Sequence, residues 1–217
     1  MARVTGSTKP RLRGVVHYWA FFASLVSGTV LLVVVPHGRP TKAAAIYGVS
    51  VSALLGVSAL FHRVHWSTAA RRWMSRLDHA MIGFLIAGTF TPFGMHTLSG
   101  PTGERLLTVV WVGALVSALF HLVWVDAPKW LSAAVYVALG WTAVAAMPEM
   151  VVRAGWTPTV LLAAGGLCYS VGAAVYALQR PNPAPLVFGY HEVFHALVVL
   201  AAGAHYAAVT LCLRAVL

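Results

Sequence analysis

The sequence predicts an all-α polytopic membrane protein: a seven-transmembrane-helix bundle with its N-terminus cytoplasmic and its C-terminus outside. Three observations predict it. First, 59% of the 217 residues are apolar and only 9% are charged, against roughly 45–50% and about 25% in ordinary globular domains. The mean hydropathy is +0.79, so there is too little polar surface to cover a soluble sphere. Second, the apolar residues gather into runs of about 20, the length that crosses a bilayer as a helix. Third, the basic residues fall between those runs and are unequal on alternate sides. The net charge of +10 is therefore explained by topology and anionic headgroups rather than by nucleic acid.

A basic tail, residues 1–14, precedes a transmembrane domain, 15–217. Seven stretches qualify as spans: 15–36, 43–63, 79–98, 106–125, 130–147, 158–179 and 192–213. Span 1 follows Arg3, Lys9, Arg11 and Arg13 as a signal peptide would. It is longer than a signal h-region, and it ends at Val35-Pro36-His37-Gly38 without a small-residue cleavage site, so an uncleaved first span is expected. Breaker residues separate the others: Ser99-Gly100-Pro101, Asp126-Ala127-Pro128, Pro148, Pro158 and Pro181-Asn182-Pro183. The runs are too long for barrel strands, which leaves helices. Cys168 and Cys212 lie inside apolar runs without C-x-x-C spacing, so neither a zinc knuckle nor a disulfide framework is read.

On one side lie the four tail cations, Arg63, Arg71, Arg72 and Arg76 after span 2, Lys129, and Arg180; on the other lie Arg39, Lys42, Arg105, Arg153 and Arg214. The richer side is cytoplasmic by the positive-inside rule. The protein is accordingly expected as a multi-pass protein of the cell membrane, with membrane lipids as its partners.

Polar residues within spans are costly and mark functional sites. In this topology Ser58 and His62 sit near the cytoplasmic end of span 2, Asp78 and His79 at the start of span 3, and His191, Glu192 and His195 in the first turns of span 7. Three distant segments thus deliver these side chains to one depth. Ser58 and His62 are four apart, as are His191 and His195, so each pair shares a helical face. Two imidazoles at that spacing can bind one metal ion, and a third from a neighbouring helix leaves the fourth tetrahedral position for water, as in a catalytic zinc site. Imidazole alone does not single out zinc. Asp78 can hold or deprotonate such a water; it also suits a helix N-cap at the start of span 3, and Ser58 can equally back-bond within its own helix.

His191-Glu192-Val193-Phe194-His195 also matches H-E-x-x-H, in which the Glu is the general base of a zinc protease. No further downstream ligand is evident, and that reading leaves Ser58, His62 and Asp78 unexplained. His17 lies near the cytoplasmic end of span 1, where it can support the site; His121 lies near the inner end of span 4, and His205 is about 15 Å beyond His195 along its helix.

These stretches carry a family resemblance. Ser58-Ala59-Leu60-Phe61-His62, Leu77-Asp78-His79 running on to Ile86-Ala87-Gly88-Thr89-Phe90-Thr91-Pro92, and His191-Glu192-Val193-Phe194-His195, with Arg13-Gly14-Val15-Val16-His17 more loosely, resemble the hemolysin III proteins of bacteria. Those are relatives of the eukaryotic progestin and adipoQ receptors, which include the adiponectin receptors. The resemblance implies a seven-helix fold with zinc near the cytoplasmic face, held by His62, His191 and His195. It further implies that Asp78 holds the zinc-bound water and that Ser58 lies beside it. Eukaryotic relatives are associated with ceramide hydrolysis, and alkaline ceramidases share this residue set. Glu192 departs from the family pattern and is not assigned as general base.

Four functions remain open from the sequence: a zinc-dependent hydrolase of a lipid amide or ester, with Asp78 and Ser58 catalytic; a receptor-like or lipid-homeostasis protein with structural zinc; a cytolysin; and an intramembrane metalloprotease. A pore wants a polar stripe through several spans, whereas the polar residues gather at one end. The open fourth position favours chemistry over a structural site.

Overall fold

The computed structural model describes residues 9–98 and 100–214. Its helices are α1 (Val15–Val34), α2 (Arg39–Arg63), α3 (Thr68–His96), α4 (Gly100–Val123), α5 (Lys129–Trp141), α6 (Met147–Ala154), α7 (Trp156–Leu178) and α8 (Tyr190–Arg214), with a 3-10 segment, Thr142–Ala146, between α5 and α6. Among the described residues no strand forms beyond an isolated bridge between Ala184 and Phe188. Among the described residues six units are long and apolar enough to cross a membrane: α1, α2, α4, Lys129–Ala154 taken together, α7 and α8.

The seventh stretch, α3, is the longest helix but is not among those six. Its N-terminal turns carry Arg71, Arg72, Arg76 and Asp78, and its middle is Gly83, Gly88, Thr89, Thr91, Pro92 and Gly94. Those small and polar residues are buried: α3 packs chiefly between α2 and α4 and also touches α8. A helix enclosed by protein need not be as apolar as one facing lipid. Gly83 shows how close the packing is, since a Cβ there would lie 2.3 Å from Ser117 Oγ and 3.1 Å from Ala114 Cα on α4.

Three boundaries differ from the sequence expectation, the simplest being α4, which starts at Gly100 rather than 106. Span 3 was expected to begin at 79, with Asp78 as an N-cap candidate. Instead the helix starts eleven residues earlier at Thr68, where Ser67 Oγ accepts the Ala70 N–H at 3.3 Å. Ala69, Ala70, Arg71 and Arg72 favour helix, so the basic stretch extends α3 out of the apolar layer and Asp78 stands in mid-helix. Pro148 was expected to end span 5. It occupies the first turn of α6, where no N–H is needed, and the chain breaks at Gly155, whose φ of +86° disfavours any other residue. The helix tightens to 3-10 winding at Thr142–Ala146, where Thr142 Oγ1 donates to Leu139 C=O at 2.6 Å.

Helix α1 buries one stripe, His17, Ser24 and Leu31, spaced by seven, while Trp19, Val26 and Val33 face outward at the same spacing. Helix α8, by contrast, buries a residue on almost every turn from Glu192 to Leu213. Away from the end that carries Asp78, the bundle is not wholly apolar. Tyr47 OH donates to Ala202 C=O, Tyr206 OH to Ser27 C=O and His205 Nε2 to Leu162 C=O at 3.4, 3.0 and 3.0 Å. Each bond uses a backbone carbonyl, so these polar groups tie helices together rather than line a stripe.

Candidate metal centre

Helix α2 ends at Arg63, and its last buried turns carry Ser58 and His62 on one face. Helix α8 begins at Tyr190, so His191 and His195 occupy its first two turns. The three histidines converge: one ring nitrogen from each lies within 4.8 Å of the others. His62 Nε2 and His191 Nε2 are 3.1 Å apart. In a tetrahedral site with Zn–N bonds of about 2.05 Å, ligand nitrogens stand about 3.3 Å from one another. The His62–His191 separation matches that spacing, and the His195 nitrogen lies within 4.8 Å of both. His62 and His195 are buried, and His191 is half-buried.

Asp78, in mid-α3, places Oδ2 3.8 Å from His62 Nε2. The Ser58 side chain lies beside that carboxylate. All five residues proposed from the sequence therefore meet at one end of the bundle, delivered by α2, α3 and α8. His79, one residue on, turns the other way. Its Nδ1 meets Ser75 C=O at 2.7 Å, its Nε2 faces Tyr176 OH at 3.4 Å, and its ring packs against His121. Tyr136 stacks on His121 and donates to His79 C=O at 2.7 Å. This His–Tyr layer behind Asp78 was not read from the sequence. His205 shares α8 with His191 and His195 but lies outside the site.

Glu192 is fully buried, yet neither carboxylate oxygen is free for the trio. Oε1 pairs with Arg13 Nε, and Oε2 accepts the Gly189 N–H at 2.8 Å. One residue along a helix is a rotation of about 100°, which carries Glu192 off the face that His191 and His195 share. The H-E-x-x-H spacing is present without the geometry of a protease base.

The tail closes over this end. Arg11 and Leu12 donate N–H groups to the carbonyls of Leu186 and Val187 at 3.0 and 3.1 Å. Lys9 Nζ donates to His62 C=O. Burial, then the guanidiniums of Arg71, Arg63 and Arg13, push the Lys9 ammonium below its ordinary value. Gly14, with φ of +78°, passes so close that a Cβ would lie 2.6 Å from His62 Cβ. His17, one turn into α1, stacks on His195 with ring centroids 3.8 Å apart and planes at 10°. Opposite the tail, Lys129 Nζ donates to Tyr190 OH at 2.6 Å and lies over the Tyr176 and Tyr190 rings.

Comparisons with known proteins agree with this architecture. The family profile described as "Haemolysin-III related" matches residues 5–206. "Hemolysin-3" of Bacillus cereus is 30% identical over 203 residues, covering 92% of this chain and 90% of that one. "Hemolysin-3 homolog" of Bacillus subtilis (strain 168) is 33% identical, over 71% of this chain and 69% of the relative. The "Adiponectin receptor protein" of Drosophila melanogaster is 31% identical over 70% of this chain but 38% of its own length. With its helices long and apolar enough to span, and a match over nearly its whole length, the chain belongs to the haemolysin-III-related family and is a multi-pass membrane protein.

Proposed function

We propose that the protein crosses the membrane seven times, binds one zinc ion through His62, His191 and His195, and hydrolyses an amide or ester of a membrane lipid. The observation that carries this reading is the meeting of three imidazole nitrogens within 4.8 Å beside a carboxylate 3.8 Å from one of them. The seventh crossing is α3, whose 29 residues extend about 43 Å, more than the roughly 30 Å of hydrocarbon. The N-terminus is cytoplasmic and the C-terminus outside, because Lys9, Arg13, Arg63, Arg71, Arg72, Arg76 and Lys129 sit at the site's end of the bundle.

When bound, zinc would supply Lewis acidity toward a carbonyl oxygen and would acidify water. The chain's own residues do the rest. Asp78 takes the proton of the attacking water as its oxygen bonds to the carbonyl carbon. The same carboxyl returns that proton to the departing nitrogen or oxygen as the C–N or C–O bond breaks. Ser58 steadies the Asp78 carboxylate. A hydroxyl has one proton to donate, so Ser58 turns to a substrate oxyanion only after Asp78 is protonated. The neighbouring apolar helices admit an acyl chain sideways and keep bulk water out.

A second reading, a receptor-like protein with structural zinc, is favoured by the tail closing the cytoplasmic end and by the similarity to a protein named as an adiponectin receptor. Turnover decides between them. Pure protein in vesicles, given a panel of lipid amides and esters, is expected to cleave one class in a zinc-dependent manner. Asp78→Asn is expected to abolish cleavage while zinc stays bound. No cleavage of any lipid by the wild type would leave the structural reading; full activity in Asp78→Asn would remove Asp78 as the base.

A further inference from the structure

We infer that His17 is a positioning residue, which holds the His195 imidazole in its metal-binding orientation through ring stacking. This rests on the reading above that His195 is a metal ligand. A ligating histidine is usually fixed by a hydrogen bond from its second ring nitrogen to a carboxylate, carbonyl or water. Among the described residues no hydrogen bond of that kind reaches the His195 ring. Its contacts with His62 and His191 are steeply inclined, at 59° and 62°. Among the described residues its one near-parallel partner is His17, at 3.8 Å and 10°. Rotation about the terminal torsion of a histidine is otherwise broad, so the stacked plane is what defines where the His195 nitrogens point.

His17 is itself used as a plane. It is 2% exposed, yet among the described residues neither ring nitrogen has a hydrogen-bond partner. The His195 backbone approaches it without a bond of acceptable geometry. A histidine kept for its polarity would have its nitrogens paired, since leaving buried polar groups unmade is costly. Its backbone is also pinned. One turn before it, Arg13 pairs with Glu192 at the start of α8, and Gly14 lies against His62. Arg13, Gly14 and His17 thus each touch a residue of the site or its immediate neighbour, and a shift of α1 would move the plane on which His195 rests.

The test compares two variants that both fill the space, only one of which stacks: His17→Phe and His17→Leu. Zinc affinity is measured on purified protein in detergent by competition with a chromophoric chelator, with melting of the metal-free proteins as the control for folding. His17→Phe is expected to stay near wild type, and His17→Leu to lose about 10- to 100-fold, the range for residues that orient metal ligands. His121→Leu, which removes another buried histidine with an unpartnered nitrogen, is expected to leave zinc affinity unchanged. Wild-type affinity in His17→Leu would overturn the inference while leaving the metal reading intact. Equal loss in His17→Phe and His17→Leu would also overturn it, because the plane would then not suffice. If the leucine variant does not fold, the phenylalanine variant still decides: weakened zinc binding there overturns the proposal. A wild-type protein that binds no zinc refutes the metal reading instead.

Discussion

The Arg13–Glu192 pair offers a stability prediction with an internal check. Glu192 is fully buried at the head of α8, whereas the Arg13 side chain keeps 20% of its surface. Arg13→Ala strands a carboxylate that retains only the Gly189 N–H, and breaking a buried pair from one side costs about 3–5 kcal/mol. Glu192→Ala strands a guanidinium that can still reach water and loses one N–H acceptor, so its cost lies near the lower end, about 3 kcal/mol. Glu192→Gln keeps an acceptor for Gly189 and should cost less than either. The double variant Arg13→Ala/Glu192→Ala strands no charge, so it should be no less stable than Arg13→Ala alone. At roughly 2–4 °C per kcal/mol for a chain of this size, Arg13→Ala should melt about 6–20 °C below wild type. Thermal unfolding of the four variants in detergent, followed by tryptophan fluorescence, measures this. Single effects that add to within about 0.5 kcal/mol in the double variant would refute the pairing argument. So would a Glu192→Ala protein of wild-type stability that had lost activity, since that is how a protease base behaves.

Elemental analysis should find one zinc per chain in the wild type and none in His191→Ala/His195→Ala; unchanged zinc would remove the ligand assignment. Reporter fusions should place the N-terminus in the cytoplasm and the C-terminus outside, and a cytoplasmic C-terminus would break the seven-span reading. Gly83→Ala should cost about 1–3 kcal/mol, read by melting, because the added Cβ would lie 2.3 Å from Ser117 Oγ; a neutral effect would mean α3 and α4 are less closely packed than described.

The helical architecture was legible because a bilayer imposes it: apolar runs of spanning length have no other way to satisfy their backbone. The start of α3 was not legible, because hydropathy marks where apolar sequence begins while Ser67 and the alanine- and arginine-rich turns after it mark where helix starts. Ser58, His62, Asp78, His191 and His195 stood out as polar residues at one depth with helical spacing. Their spacing within each helix carried information; contacts between helices did not. Arg13 and Glu192 are 179 positions apart, and nothing in the sequence separates Arg13 from a charge that merely sets topology. The H-E-x-x-H pattern drew Glu192 toward a catalytic role because spacing alone cannot say which neighbour meets the opposite face of α8. His17 was legible by depth only; its stack on His195 depends on how α1 and α8 approach.

The site is assembled from both ends of the chain, and this has a consequence for biosynthesis. His62 and His191 are 129 positions apart, so at about 5–20 residues per second the ribosome needs about 6–26 s to supply α8 after α2 has been made. Throughout that interval His17, His62 and Asp78 sit in a partly inserted bundle with no partner from the last helix. The proposed metal centre therefore cannot form until α8 has left the ribosome. A chain cut short before residue 190 would insert most of its helices and still lack the site altogether.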